Sequence, residues 1–147
     1  PVTAEGFGEE AEAPRQAGAE YGAATGRPRR VGPIDLVATR YGVQIQGATE
    51  IALTKLDVLS YMKEIPICEQ YEIHGQKTDE FPFTAVVDEA KPVFTTMPGW
   101  GCDISGVRKW EDLPVEARNY VEYIEKAIGC RISYVSVGAA RDEYIQR

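Results

Sequence analysis

Hydrophobic side chains recur along this chain at helical spacing in two places, and each predicts a helix. The clearer helix is predicted over 114–128, with one buried stripe formed by Ala117, Tyr120, Val121, Ile124 and Ile128. Pro114 suits the first turn of this helix, and Gly129 supplies its end. The other helix is predicted from Ile34 or Asp35 to Gln46, on the spacing of Ile34, Ala38, Tyr41 and Ile45.

Extended segments lie between and after these helices. A strand is predicted over 51–55, and two more over 65–73 and 77–83 form a hairpin around His74-Gly75-Gln76. The remaining predicted elements are a short helix over 85–90, a strand over 92–97, a turn at 98–101 and a final strand over 132–137. Strands that alternate with helices indicate an α/β layer, here with an antiparallel hairpin attached.

The first 21 residues follow a different pattern, because they are rich in Ala, Gly and Glu and have few large apolar side chains. A helix over 9–19 is compatible with this composition, but Pro14 is expected to kink or break it. We therefore expect an N-terminal arm over 1–21 that is partly helical or disordered, followed by the main region over 22–147.

Composition narrows the class of protein. The chain has 147 residues, of which 44% are hydrophobic and 27% charged, as in a globular domain with a real core. Its net charge of −7 argues against nucleic acid as a partner, and no apolar run is long enough to span a membrane. Cys68, Cys102 and Cys130 are far apart and form no CxxC pair, so buried or idle thiols in a reducing compartment are favoured over a zinc site.

The segment Leu53-Thr54-Lys55-Leu56-Asp57 carries the most specific chemistry. A carboxylate at the end of a strand accepts two parallel hydrogen bonds from guanine, one from the ring N–H and one from the exocyclic amine. Adenine lacks both donors and would leave the carboxylate unpaired. On an extended chain Lys55 points the same way as Asp57, so its stem would cover the base. Without other motifs, the alternative interpretation of this segment is a strand end that is exposed to solvent and binds nothing.

A second candidate site is the loop over 22–30, in which Arg27, Arg29 and Arg30 lie close together between glycines. Like charges repel in so short a loop unless anions lie between them, and guanidinium groups bind carboxylates and phosphates through two-point contacts. Gly22 and Gly26 permit backbone angles that turn N–H groups towards an anion. The loop is therefore predicted to bind anions and to be mobile without them, with a solvated basic loop as the alternative.

Six motifs in order give this sequence a family resemblance. They are GAATGRPRRVG from residue 22, LTKLDVL from 53, MPGW from 97, DISGVRKWEDLP from 103, ARNYVEYIE from 117 and SVG from 136. This order closely resembles the C-terminal part of the adenylosuccinate synthetases, which join IMP to L-aspartate with GTP hydrolysis in AMP biosynthesis. The implied fold is α/β and P-loop NTPase-like, the chain supplying a fragment of a mixed sheet with flanking helices and an antiparallel hairpin.

The resemblance also implies roles for individual residues. It assigns an aspartate-binding loop to Ala23, Ala24, Thr25, Gly26, Arg27, Pro28 and Arg29, with Arg27 also contacting IMP and Arg29 also contacting GTP. It assigns guanine contacts to Lys55, Leu56, Asp57, Ser136, Val137 and Gly138. The chain departs from the family pattern where Ala24 replaces a common Thr, where Pro28 replaces an Arg, and where Ala139-Ala140-Arg141 replaces Pro-Asp-Arg.

The family's phosphate-cradling loop, its catalytic aspartate and its catalytic histidine have no counterpart here, since the lone His74 lies in the predicted hairpin turn. We therefore interpret the chain as a piece of a longer cytoplasmic, homodimeric, GTP-dependent carbon–nitrogen ligase. We expect the piece to be inactive alone, with no catalytic or metal-binding residues and no tightly bound Mg²⁺ or GTP. The alternatives are a stand-alone guanine-nucleotide-binding module and an interaction domain whose arginine loop binds acidic peptides.

Overall fold

The computed structural model describes residues 3–147 and divides the chain into two compact units. Unit 1 comprises Pro1–Val37 and Pro66–Thr95, and unit 2 comprises Ala38–Ile65 and Thr96–Arg147. The first two residues of the predicted N-terminal arm lie outside the described residues. The α/β class is confirmed, with the strands distributed over two mixed sheets.

The sheet of unit 1 is built on a long central strand. Strand β1 (Ile34–Asp35) pairs in parallel with β3 (Glu64–Ile73), β4 (Gln76–Thr78) pairs antiparallel with β3, and β5 (Lys91–Pro98) also pairs with β3. The predicted hairpin is confirmed, because His74 and Gly75 both have positive φ, as a two-residue hairpin turn requires. Its second strand is shorter than predicted and ends at Thr78.

The predicted arm contributes to the core of unit 1. Ala4 is fully buried and packs with Val37, Cys68 and Tyr71. Gly6 N–H donates to the Val31 carbonyl at 2.9 Å, so the arm follows the chain that leaves the arginine loop. A side chain at Gly32 is impossible here, because its Cβ would lie 2.0 Å from the Ala4 carbonyl oxygen.

Helix α1 (Glu9–Ala17) forms with Pro14 inside it, so the expected break does not occur. Pro14 has no N–H to donate to the preceding turn, but its carbonyl accepts from Gly18 N–H at 2.9 Å, so the helix continues past it. The Glu12 carboxylate ties the helix to the next segment by accepting from Gln16 at 2.9 Å and the Tyr21 hydroxyl at 3.0 Å. These hydrogen bonds lower the pKa of Glu12.

Unit 2 has a three-stranded sheet with β6 in the middle. Strand β2 (Glu50–Leu53) is parallel to β6 (Arg131–Ser136), and β7 (Tyr144–Gln146) is antiparallel to it. Helix α3 (Val115–Ile128) contacts β6, and all five residues of the predicted apolar stripe are buried. Gly129 ends the helix with φ 65° and ψ 30°, as predicted. The sequence missed β7, so β6 is not the last strand.

Helix α2 (Leu36–Gln46) is confirmed, but its buried side chains are Leu36 and Val37. Tyr41 and Ile45, which suggested the helix by their spacing, are 44% and 69% exposed. Three short 3-10 helices span Leu56–Leu59, Thr84–Glu89 and Trp110–Asp112. Over residues 3–147 no helix has both the length and the apolarity needed to cross a membrane.

Candidate nucleotide-binding site

The two segments with predicted guanine contacts follow neighbouring parallel strands of unit 2. Strands β2 and β6 run side by side with Leu53 opposite Val135, so their carboxyl ends meet at one edge of the sheet. A direct hydrogen bond joins the segments there, because Lys55 N–H donates to the Ser136 hydroxyl oxygen at 2.7 Å. The structure therefore brings together two motifs that are 81 positions apart in the sequence.

The backbone turns sharply between the end of β2 and Asp57. Lys55 has φ 61° and ψ 38°, in the left-handed region, and a 3-10 helix begins at Leu56. The predicted extended conformation through Lys55 is therefore wrong, and so is the inference that Lys55 and Asp57 project from one face of a strand. The turn allows Leu56 to enter the core, where its side chain is 1% exposed, and lets Ser136 bind the Lys55 N–H.

Asp57 presents an unsatisfied acceptor at this edge. Its Oδ1 atom is buried, and no residue within 3–147 donates a hydrogen bond to it. A buried polar atom without a partner costs about 1–3 kcal/mol, and more when it is charged. Buried acceptors are paired in the great majority of cases, so this oxygen is an exception among residues 3–147, together with Arg118 Nε and Ser133 Oγ.

The second segment, residues 136–138, has as its polar groups the backbone and the Ser136 hydroxyl. Val137 is fully buried, and its N–H donates to the Glu143 carbonyl at 2.9 Å. Gly138 begins a loop over 138–142 that returns the chain to β7. The side chains of Leu56 and Val137 both lie in the core, so neither can contact a bound base, although their backbone groups remain at the edge.

The arginine loop of unit 1 is a closed turn fastened by its own backbone. Gly22 N–H donates to the Arg27 carbonyl at 2.8 Å, and Gly26 N–H donates to the Gly22 carbonyl at 2.7 Å. Thr25 Oγ1 accepts from Arg27 N–H at 3.3 Å. Residues 23–30 are all exposed, so the polar groups of the loop face solvent.

The charges of this loop are partly neutralised by the chain itself. Arg29 donates to Glu20 at 3.0 Å, and Arg30 Nε donates to Glu5 at 2.7 Å. The hydrogen bond between the second pair lowers the pKa of Glu5 and raises that of Arg30. The expectation that anions must fill the space between three repelling arginines is therefore wrong for two of them.

Arg27 is the exception, because its guanidinium makes no hydrogen bond or ion pair with any of residues 3–147. It is exposed, and its carbonyl closes the turn by accepting from Gly22 N–H. A guanidinium held in this way is available to a carboxylate or phosphate of a ligand.

Other conspicuous side chains have structural partners. His74 is exposed and contacts Glu89 at 2.6 Å. Trp100 packs against Tyr120 and donates to Ser60 at 2.9 Å. An open cleft of about 790 Å³ lies elsewhere in unit 2. Its lining includes Trp110, Glu125, Arg131 and Arg147, and it includes none of the predicted base contacts. The Arg147 guanidinium stacks on Trp110 at 4.1 Å, so this indole is not a free platform for a base.

Comparison with known proteins indicates one family. Residues 1–145 match the family model described as adenylosuccinate synthetase. The chain belongs to the adenylosuccinate synthetase family. It is 48% identical over 147 residues to the adenylosuccinate synthetase of Bifidobacterium adolescentis, and 46% identical to that of Micrococcus luteus.

These alignments cover 99% of this chain but 34% of each relative, so the chain spans about a third of the length of the curated family members that it matches. A solved structure described as fully ligated adenylosuccinate synthetase from Plasmodium falciparum superposes with a TM-score of 0.93 at 32% identity. The match covers 100% of this chain and 36% of that one. The family resemblance and the fold expected from the sequence are thus confirmed.

Proposed function

We propose that this chain supplies substrate-binding surfaces of an adenylosuccinate synthetase, a GTP-dependent carbon–nitrogen ligase of purine biosynthesis. In unit 2, Lys55, Leu56, Asp57, Ser136, Val137 and Gly138 bind the guanine base of GTP. In unit 1, the loop over 23–29 binds L-aspartate, and Arg27 also contacts IMP. The chain alone is inactive, because none of its residues supplies the proton transfers of the reaction.

The observation that carries the guanine assignment is the buried, unpaired Oδ1 of Asp57. Guanine offers two adjacent N–H donors, which match the two oxygens of one carboxylate. The Ser136–Lys55 hydrogen bond holds the second segment against the first, so backbone groups of both are available to the same base. An adenine base would leave the carboxylate unsatisfied and would be rejected.

Arg27 supports the anion assignment of the loop, since it has no counter-ion among the described residues whereas Arg29 and Arg30 have theirs. A dicarboxylate such as L-aspartate offers the planar oxygen pairs that a guanidinium binds best. The role of this chain in the reaction is thus to hold and orient substrates, which is a large part of catalysis when several reactants must be aligned.

The Mg²⁺ of the family's phosphoryl transfer does not fit a cluster of this chain's own residues. Within residues 3–147, no group of three or more histidine, cysteine, aspartate or glutamate side chains could hold a metal ion. The guanine base, by contrast, fits the edge at Asp57, where a buried acceptor has no donor among the described residues.

The test is a titration of the ¹⁵N-labelled chain with GDP, followed by amide chemical shifts, with ADP as the matched control ligand. We expect GDP to shift the amides of 55–57 and 136–138 saturably at millimolar concentration, and ADP to leave them unchanged. Equal responses to GDP and ADP, or none to either, would refute guanine recognition by these residues.

The matched variant is Asp57→Asn, which keeps the size of the side chain but replaces one acceptor oxygen with an amide donor. Losing one charge-assisted hydrogen bond, weakening the other and setting two donors against each other should cost about 3 kcal/mol, or roughly 100-fold in GDP affinity. Xanthine carries a carbonyl where guanine has its amine, so the same variant should gain affinity for XDP. A variant that binds GDP as the parent does would exclude Asp57 from base recognition.

The loop is tested by titration with L-aspartate, IMP and an acidic peptide, each against the parent chain and Arg27→Gln. We expect L-aspartate or IMP to shift the amides of 23–29 in the parent alone. Saturation by the peptide only would favour an acidic-peptide interaction domain.

A further inference from the structure

The loop that follows the second guanine segment is closed from inside by one carboxylate. Glu143 Oε2 accepts a hydrogen bond from Ala140 N–H at 2.7 Å. The backbone of the same residue accepts from Val137 N–H at 2.9 Å and donates to the Ala140 carbonyl at 3.1 Å. Three of the polar contacts that shape this loop therefore involve Glu143.

The carboxylate also occupies the space beside Gly138. A Cβ at that position would lie 2.2 Å from Glu143 Oε2 and 3.0 Å from Glu143 Cβ. Because Gly138 has no side chain, Glu143 can fold back into the loop. The two residues form one packing unit, with Ala140 as its hydrogen-bonded third member.

We propose that Glu143 is a positioning residue for guanine-nucleotide binding, which holds the backbone of 136–138 in the conformation that meets the base. This proposal rests on the guanine site proposed above and extends it to a residue outside both base-contacting segments. Glu143 acts through the loop, since its hydrogen bonds go to the Ala140 N–H and to backbone groups of the loop.

The physical reason lies in the length of the loop and in its composition. Between β6 and β7 the chain has the seven residues 137–143, in which Gly138, Ala139 and Ala140 have no side-chain group that could fix the backbone. A hydrogen bond from a carboxylate to a backbone N–H is among the stronger kinds, and it restricts a segment that is otherwise free to move. Removing it releases the segment next to Ser136, whose hydroxyl oxygen accepts from Lys55 N–H.

The first experiment measures GDP and ADP binding to the parent chain, Glu143→Gln and Glu143→Ala by the same NMR titration. Glutamine keeps an oxygen that accepts from Ala140 N–H, so its GDP affinity should stay within about threefold of the parent. Alanine removes the acceptor and should weaken GDP binding roughly tenfold, with a smaller preference over ADP. A merely structural role would lower stability in Glu143→Ala and leave the GDP affinity and the preference unchanged.

The second experiment is a double-mutant cycle on stability with Gly138→Ala, alone and combined with Glu143→Ala. In the parent chain the methyl group should displace the Glu143 carboxylate and break its hydrogen bond to Ala140 N–H, so it should cost more there than once the carboxylate is gone. Independent effects of the two changes would show that Glu143 does not fill this space and would overturn the proposal.

The outcomes separate the two proposals. If the parent distinguishes GDP from ADP and Asp57→Asn loses the distinction while Glu143→Ala keeps it, the guanine site stands and the role of Glu143 is refuted. If the parent shows no preference for GDP, the guanine site is refuted and the role of Glu143 with it.

Discussion

Two serines on strand β6 should respond to the same substitution with opposite signs. Ser133 is 5% exposed, and its hydroxyl has no hydrogen-bond partner among residues 3–147. Ser136 lies three positions on, and its hydroxyl accepts from Lys55 N–H at 2.7 Å. Alanine removes one oxygen from each, so the difference between the variants combines the value of the hydrogen bond at Ser136 with the cost of the unsatisfied hydroxyl at Ser133.

The magnitudes follow from these environments. Relief of an unsatisfied buried hydroxyl should stabilise Ser133→Ala by about 1 kcal/mol, because at roughly 24 cal/mol per Å³ a void of about 10 Å³ costs only about 0.2 kcal/mol. Loss of the Lys55–Ser136 hydrogen bond should destabilise Ser136→Ala by about 1 kcal/mol, since water can reach the exposed Lys55 N–H. The two variants should therefore differ by about 2 kcal/mol.

Urea denaturation followed by circular dichroism measures both changes, and thermal melting should separate the variants by roughly 6 °C in a chain of this size. GDP titration supplies a second readout, because Ser136→Ala should also weaken binding and Ser133→Ala should not. If both variants are destabilised equally, Ser133 has a hydrogen-bond partner and the reasoning is wrong.

Three further predictions concern unit 1 and the cysteines. Gly32→Ala should lower the free energy of unfolding by about 2–3 kcal/mol in urea, because its methyl group would collide with the Ala4 carbonyl; an unchanged midpoint would contradict this. At pH 8 a thiol reagent should modify the exposed Cys102 first and leave Cys68 unmodified, because burial raises the pKa of Cys68 to about 12. Mass spectrometry of the treated chain measures this order. The hydrogen bond from Arg30 holds the pKa of Glu5 below its ordinary value of 4.5. The parent should therefore be more stable than Glu5→Gln above pH 4.5, and this advantage should vanish as the pH falls below that value. Melting curves that keep the advantage at low pH would refute the pairing.

The sequence predicted best where local pattern and tertiary environment agree. In α3 the apolar spacing, the proline before the helix and the glycine after it all indicate the same element, and the structure confirms its buried stripe residue by residue. The hairpin at His74-Gly75 was predictable for the same reason, because the turn residues and the alternating strands support each other.

The sequence failed where a distant residue determines the backbone. The left-handed conformation of Lys55 is held by a hydroxyl that lies 81 positions later, and no local pattern contains that information. Strand β7 is only three residues long and gains its pairing from β6, so its own side chains give a weak signal. Arg29 pairs with Glu20 and Arg30 pairs with Glu5, and these residues come close to each other only when the chain folds.

The roles that the family resemblance assigns to the loop over 23–29 and to the guanine segments remain predictions. What the fold adds is the adjacency of the two guanine segments and the buried oxygen of Asp57, which has no donor among residues 3–147.

The parallel pairing of β2 with β6 has a consequence for the order of folding. The partner of β2 is separated from it by the hairpin of unit 1 and by all of α3, so the loop that must close is long and its closure is entropically costly. During synthesis the Lys55 turn cannot acquire its hydrogen bond until Ser136 has been added to the chain. Base recognition should therefore appear late on the folding pathway, and β2 should have an unpaired edge until then.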